Sequence, residues 1–352
     1  MDDQARLQVR LGRLTLCSPL ICGSGEPVMT EAGIRAALRA GAAGVIAKSI
    51  NEQPAAARQL DGADYCWLDP HGDAAGKADR LGSLFCRSGL AQRDGEDWFR
   101  AVAAIDRDAA KNGQFVGASI VLGSAEGALD LARLARRAGI RVFEFNVGAP
   151  HALEARAGAI ENRTDPAELG QLVRQVREAL GDTIMWVKLT GLTTNIPALA
   201  QAATEGGADA VIAMGRFLAM VPSLDDFSPA LTSAAAYGGS WAVPIVCRTL
   251  ALCRQAMGPD QPLIGTNGIR SGADLLKMML AGAWATEVLT IVMAEGFGAL
   301  TRIRGEVLDF LGSRNLNAEE IIGKAADKMR RYDEQPIRPG RWRDFVPAEA
   351  LQ

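Results

Sequence analysis

Histidine is nearly absent from this 352-residue sequence, with His71 and His151 alone, so there is little material for a histidine-built metal centre. The six cysteines (Cys17, Cys22, Cys66, Cys86, Cys247, Cys253) include no Cys-x-x-Cys pair. That argues against a zinc or iron–sulfur site and for reduced thiols in a cytoplasmic protein. No apolar run reaches the roughly 20 residues of a membrane span, and no signal-peptide pattern precedes the first strand pattern. Net charge is −3 with no basic block, so neither nucleic acid nor a membrane surface is expected as partner.

Glycine and apolar residues are plentiful instead: 38 glycines and 48% hydrophobic residues suffice for one large α/β domain. Four segments repeat one pattern, a helix-like stretch ending at a glycine and running into a short apolar strand. They are 40–47, 138–145, 206–213 and 281–288. Glycine supplies the left-handed residue that ends a helix, and the apolar run reads as a buried strand. A recurring αβ unit implies a parallel sheet wrapped by helices. At this length the expected fold is a closed (β/α)8 TIM barrel, spanning about 14–311 of a single domain. Its active site would lie just past the strand ends, at Lys48-Ser49, Asn146, Met214-Gly215-Arg216 and Leu289-Thr290.

Residues 8–16 alternate around Gly12 and predict a hairpin that plugs the N-terminal end of the barrel. Leu20-Ile21-Cys22 would be the first barrel strand. Residues 51–97 have weak periodicity and many Gly, Asp and Pro residues, and read as an elaborated active-site loop. Strands follow at 115–122, 142–146, 184–189, 210–214, 263–265 and 286–290, with a helix 165–180 capped by Thr164 or Asp165. The tail from about 322 is expected to cover a subunit contact or the site mouth.

Residues 264–274 read as strand, glycine turn and helix start. Turn amides pointing inward, with the partial positive charge of a helix N-terminus, make an anion cradle. Asn267, Gly268 and Thr290 would hold a phosphate after the last two strands, where such barrels usually place one. Gly238-Gly239-Ser240, a glycine turn before a helix, would add to it. The alternative is that these glycines only make tight turns.

Taken together, Ser24-Gly25, Ala47-Lys48-Ser49, Glu144-Phe145-Asn146-Val147-Gly148-Ala149-Pro150-His151, Trp186-Val187-Lys188-Leu189-Thr190, Gly265-Thr266-Asn267-Gly268-Ile269 and Ala281-Gly282-Ala283 resemble one family. In order and spacing, 14–311 is similar to class 1 dihydroorotate dehydrogenases, and more closely to the FMN barrel of dihydropyrimidine dehydrogenase. The resemblance implies an FMN-dependent oxidoreductase, with Ser24, Gly25, Lys48, Ser49, Asn146, Lys188, Gly238, Gly239, Asn267, Gly268 and Thr290 at the cofactor. It implies that Lys188 places positive charge at the ring edge that becomes anionic. Asn146 would offer a donor and an acceptor to the flavin or to a substrate above it. A buried ion pair is the plainer reading of such a lysine.

The departures bear on the substrate. The family's proton-transferring cysteine is replaced by Ala149, and its pyrimidine-gripping Asn-Thr pair by Met214-Gly215. Leu289 replaces a family glycine. A small, cyclic or carboxylated metabolite other than dihydroorotate is therefore expected. His151 and Cys86 are the candidates for the missing acid or base, with Asn146 and Lys188 as the other catalytic residues. Arg87 and Arg216 could clamp a carboxylate beside Met214, unless each is merely solvated or ion-paired. Two further readings stay open. One is FMN chemistry that is non-redox or uses oxygen; the other is a catalytically silent partner subunit. A homodimer and an electron-transfer partner are also expected.

Overall fold

The computed structural model describes residues 2–53, 58–78, 81–149 and 163–351. A short helix α1 (Asp3–Leu7) leads into the hairpin of β1 (Val9–Leu11) and β2 (Leu14–Leu16), which pair antiparallel across Gly12. Then come β3 (Leu20–Cys22), α2 (Glu31–Arg39) and β4 (Gly44–Ile46). The next segment holds β5 (Asp64–Leu68), β6 (Ala74–Ala75) and β7 (Ser83–Arg87). Regular alternation follows: α3 (Gly95–Ala110), β8 (Phe115–Val121), α4 (Ala125–Ala138), β9 (Val142–Asn146), α5 (Pro166–Leu180), β10 (Ile184–Lys188), α6 (Ile196–Glu205) and β11 (Ala210–Ala213). After β12 (Phe217–Ala219) and β13 (Ala235–Gly239), the chain closes with α7 (Val243–Met257), β14 (Leu263–Thr266), α8 (Gly272–Leu280), β15 (Ala285–Val288), α9 (Thr290–Glu295) and α10 (Gly298–Ser313).

Strands β3, β4, β8, β9, β10, β11, β14 and β15 pair in parallel and close into a barrel, with helices between them. The glycines that ended the four repeated units, Gly41, Gly139, Gly207 and Gly282, all have positive φ, from 79° to 117°. That is the left-handed turn a β-carbon would strain. Thr30, Asp94, Ser124, Asp165 and Ser271 each cap a helix by accepting a backbone N–H.

Inside the barrel, Ile21, Ile46, Phe115, Val142, Trp186, Ile212 and Ile264 form one apolar cluster, joined from below by Leu11 and Leu16 of the hairpin. Phe115 and Trp186 meet edge to face at 5.4 Å.

Three elements differ from the sequence expectation. Residues 64–87 do not form a loop: β5, β6 and β7 join β12 and β13 in a five-stranded antiparallel sheet. Its strands come from opposite sides of a long sequence gap, so no local periodicity reveals the pairing. Helix α3, which the sequence reading did not assign, starts at the Asp94 cap and buries Trp98, Phe99 and Val102. Thr290 begins a helix, where it was expected to end a strand.

Candidate active site

Side chains in a strand alternate in direction, so the interior apolar layer predicts what stands above it. Two residues beyond Val142, Trp186 and Ala285 come Glu144, Lys188 and Glu287; Ser119 lies four beyond Phe115. These form a polar layer at the C-terminal ends of the strands. The Lys188 Nζ lies 2.8 Å from Glu144 Oε2 and 2.6 Å from Glu287 Oε2. Burial disfavours the ammonium, but Glu144 and Glu287 outweigh it and hold Lys188 above the usual lysine range. Burial and the nearby Glu144 push Glu287 up to about 8, against the pull of Lys188.

A line of hydroxyls reaches Glu144 from the cavity. Ser119 Oγ donates to Glu144 Oε1 at 2.7 Å, Ser49 Oγ is 2.8 Å from Ser119 Oγ, and Ser24 Oγ is 3.0 Å from Ser49 Oγ. Ser49 N–H donates to Ser24 Oγ at 3.0 Å. The hydroxyl protons therefore all run one way, toward the Glu144 carboxylate.

A cavity opens above this layer. Ser24, Lys48, Asn146, Lys188, Met214, Arg216, Asn267, Gly268, Thr290 and Cys86 line it. Ser49 and Ala149 line its extension beside Asn146 and Arg216. Asn146 Oδ1 accepts from Gly148 N–H at 3.0 Å, leaving the amide's donor end for a ligand. Lys48 Nζ pairs with Glu26 Oε1 at 3.0 Å, and Tyr65 donates to the same oxygen at 2.8 Å. Burial works against the Glu26 charge, yet Lys48 and Tyr65 hold its carboxyl below the usual range. Burial lowers Lys48 in spite of Glu26.

The antiparallel sheet covers the mouth. Leu84, Cys86 and Ser88 face the cavity, whereas Phe85 belongs to the opposite face. Arg87 shares that opposite face by parity. It lies 3.7 Å from Asp64 and donates to Thr232 at 3.4 Å, so the expected carboxylate clamp is not at this position. Arg216 does face the cavity, donating to Cys86 Sγ at 2.7 Å and Ser88 Oγ at 3.1 Å. Among the described residues no carboxylate pairs with it. Burial opposes its charge, but the surrounding Cys86 and Glu26 side chains hold the guanidinium above the usual arginine range. His151 lies outside the described residues.

At the cradle, Asn267 and Gly268 have positive φ, 74° and 85°. The buried Asn267 Nδ2 has no partner among the described residues, and no acceptor there meets the Gly268 or Ile269 amides. Gly238 and Gly239 lie behind the cradle. A β-carbon at Gly238 would sit 2.6 Å from Asn267 Oδ1, and one at Gly268 would sit 2.6 Å from Gly239 O. They end β13, where a glycine turn was expected. The α8 N-terminus does not contribute as expected. Asp274 N–H donates to Ser271 Oγ, Gly272 N–H to Glu306 Oε2 at 2.6 Å, and Arg270 N–H to Asp274 Oδ2. Gly25 stands against Leu289, whose Cδ2 is 2.0 Å from where a β-carbon would be.

Glu26, Tyr65, Ser88, Ser119, Glu144 and Glu287 were not singled out from the sequence. The usable signal for two of them was a carboxylate at an inward position of an otherwise apolar strand.

The dihydroorotate dehydrogenase family profile matches residues 111–311, more than half of the chain. A catalytic subunit of dihydroorotate dehydrogenase B (NAD(+)) from Methanocella arvoryzae is 31% identical over 53% of this chain and 60% of its own length. A dihydroorotate dehydrogenase A (fumarate) from Limosilactobacillus reuteri is 34% identical over 45% of this chain and 50% of its own. The chain thus spans only half to three fifths of these two relatives. The corresponding B-type catalytic subunit from Pyrococcus horikoshii is 27% identical over 91% of this chain and 97% of its own length. No described helix is long and apolar enough to cross a membrane.

Proposed function

Because the chain belongs to the dihydroorotate dehydrogenase family, a family of oxidoreductases, we propose that it is an FMN-dependent oxidoreductase acting on a small carboxylated metabolite other than dihydroorotate. The observation that carries the substrate class is Arg216. It is a charged guanidinium on the cavity wall whose described hydrogen-bond partners are a thiol and a hydroxyl. A half-buried guanidinium with no carboxylate in direct contact among the described residues is poorly compensated, and a substrate carboxylate would relieve that through charge-assisted hydrogen bonds.

FMN fits the residues present. The Asn267 amide, without a partner among the described residues, and the Gly268 and Ile269 N–H groups suit a terminal phosphate, in a cradle that a β-carbon at Gly268 would fill. Bound there, FMN would accept or donate hydride. Lys188 would hold positive charge at the ring edge and Asn146 would donate to the ring or the substrate. Ser24 would fix the ring through the hydroxyl line. Cys86, the protic group in contact with Arg216, is assigned the substrate proton, because Ala149 has none to give. The sheet of β5, β7 and β13 would exclude water from the reacting atoms.

Purified protein is expected to carry FMN and not FAD, since the cradle closes over one phosphate; extraction of the cofactor followed by chromatography checks this. FAD, or a protein still colourless after reconstitution, would overturn it, and the colourless outcome would leave the silent-subunit reading. Arg216→Met is expected to raise KM for the carboxylate substrate by roughly 10- to 150-fold, the worth of a hydrogen bond to a charged group. A panel of small carboxylates, scored by anaerobic flavin bleaching, supplies the measurement. An unchanged KM would remove Arg216 from substrate binding.

A further inference from the structure

Lys188 carries one positive charge and touches two carboxylates, of which Glu144 is fully buried and Glu287 is 3% exposed. With both ionised, a site shielded from water would hold a net negative charge, which is costly. One proton removes the excess, and the hydrogen bonds decide where it goes. Glu144 receives the Ser119 hydroxyl as well as facing Lys188, at the end of the hydroxyl line from Ser24. Glu287 has one donor, Lys188 on Oε2, and the Glu144 carboxylate within hydrogen-bond reach, while its buried Oε1 has no partner among the described residues. Glu144 is thus the better-solvated anion and Glu287 the better place for a proton. Glu287 also lines the cavity.

We propose that Glu287 is a neutral carboxylic acid in the working protein, accepting from Lys188 at Oε2 and presenting an Oε1 hydroxyl as a hydrogen-bond donor to the acceptor edge of the ring bound in the cavity. The proposal rests on the flavin reading above. It makes the ring edge meet two donors, one charged and one neutral, and lets the site take up negative charge without a second buried cation. The groups facing Glu287 are Lys188 from β10 and Glu144 from β9, and the Cys22 thiol lies nearby on the outer face of β3. Burial and Glu287 push the Cys22 thiol up to about 12, so it stays neutral and does not compete for the proton. Across the cavity stand the Lys48–Glu26 pair and Arg216 with Cys86.

Infrared difference spectra of the cofactor-free protein, taken between pH 6 and pH 9, test the protonation state. A protonated-carboxyl band should be present at pH 6, fade as pH rises through about 8, and be missing from Glu287→Gln. No band in the wild type, or the same band in Glu287→Gln, would overturn the proposal. The wild-type spectrum alone decides if the variant does not fold. In the second arm, FMN affinity of the wild type should fall about tenfold from pH 7 to pH 9, since only the protonated form donates. Glu287→Gln keeps an N–H donor and should lose most of that slope. An equal slope in both proteins would overturn the donor role. A band that behaves as expected in a protein that binds no FMN would instead sink the flavin reading and the donation to its ring, leaving only the acid's state.

Discussion

Dihydroorotate, mixed anaerobically with the FMN-loaded protein, should bleach the flavin about 10²–10⁴-fold more slowly than the protein's own substrate does, the usual worth of a positioned acid or base. Ala149 is 6% exposed and lines the cavity's extension with Asn146 and Lys188. A methyl group there cannot move a proton. The pyrimidine edge would meet the Met214 thioether and Gly215 where the resemblance implies an Asn-Thr pair. Each amide left unpaired costs roughly 1–3 kcal/mol. Cys86, the thiol on the described wall, comes from the covering sheet, a different direction of approach. Ala149→Cys brings a thiol to the missing position and should recover part of the rate on dihydroorotate. Stopped-flow bleaching measures both. Fast reduction by dihydroorotate in the unaltered protein would overturn the substrate argument.

The barrel was legible because its information is local. Each glycine of the four repeated units sits at the helix–strand joint with the positive φ that the turn requires, and the apolar runs after them are the strands. Lys48, Asn146 and Lys188 were legible because a strand end in such a barrel is a site position. The covering sheet was not, since β7 pairs with β13 across a gap of about 150 residues, and nothing within either segment names the other. Arg87 shows the cost of an unfixed register. Parity in β7 turns Cys86 inward and Arg87 outward, so a shift of one residue exchanges their roles. The turn expected to form an anion cradle was only half legible. The left-handed turn at Asn267 and Gly268 was foreshadowed by its glycines, but whether a helix N-terminus is open depends on side chains far away, and Glu306 from α10 takes the Gly272 amide. Glu287 escaped notice because one carboxylate in an apolar strand gives no hint that another strand supplies Lys188.

Lys188→Met should cost about 3–5 kcal/mol of stability at pH 8–9, the range for removing one partner of a buried ion pair. The methionine keeps the side chain's bulk, so the loss reports the charge and not a cavity. Two buried carboxylates then share the site with only the Ser119 hydroxyl for compensation. The pH dependence fixes the interpretation. A carboxyl whose folded pKa is raised binds protons more tightly folded than unfolded, so the folded state loses ground as pH rises above about 4.5. In the unaltered protein Glu287 behaves this way, with its loss complete above about 8. Without the ammonium both buried carboxylates lose their counter-charge, and the gap between variant and parent should widen steadily from pH 5 to pH 9. Chemical denaturation at several pH values measures that gap. If the variant folds when loaded with FMN, flavin reduction should fall about 10²–10³-fold, by analogy with the loss of one preorganised oxyanion donor, while FMN affinity changes far less. A stability gap that stays flat with pH would show that Lys188 does not balance the two carboxylates, and an unchanged reduction rate would remove it from the chemistry.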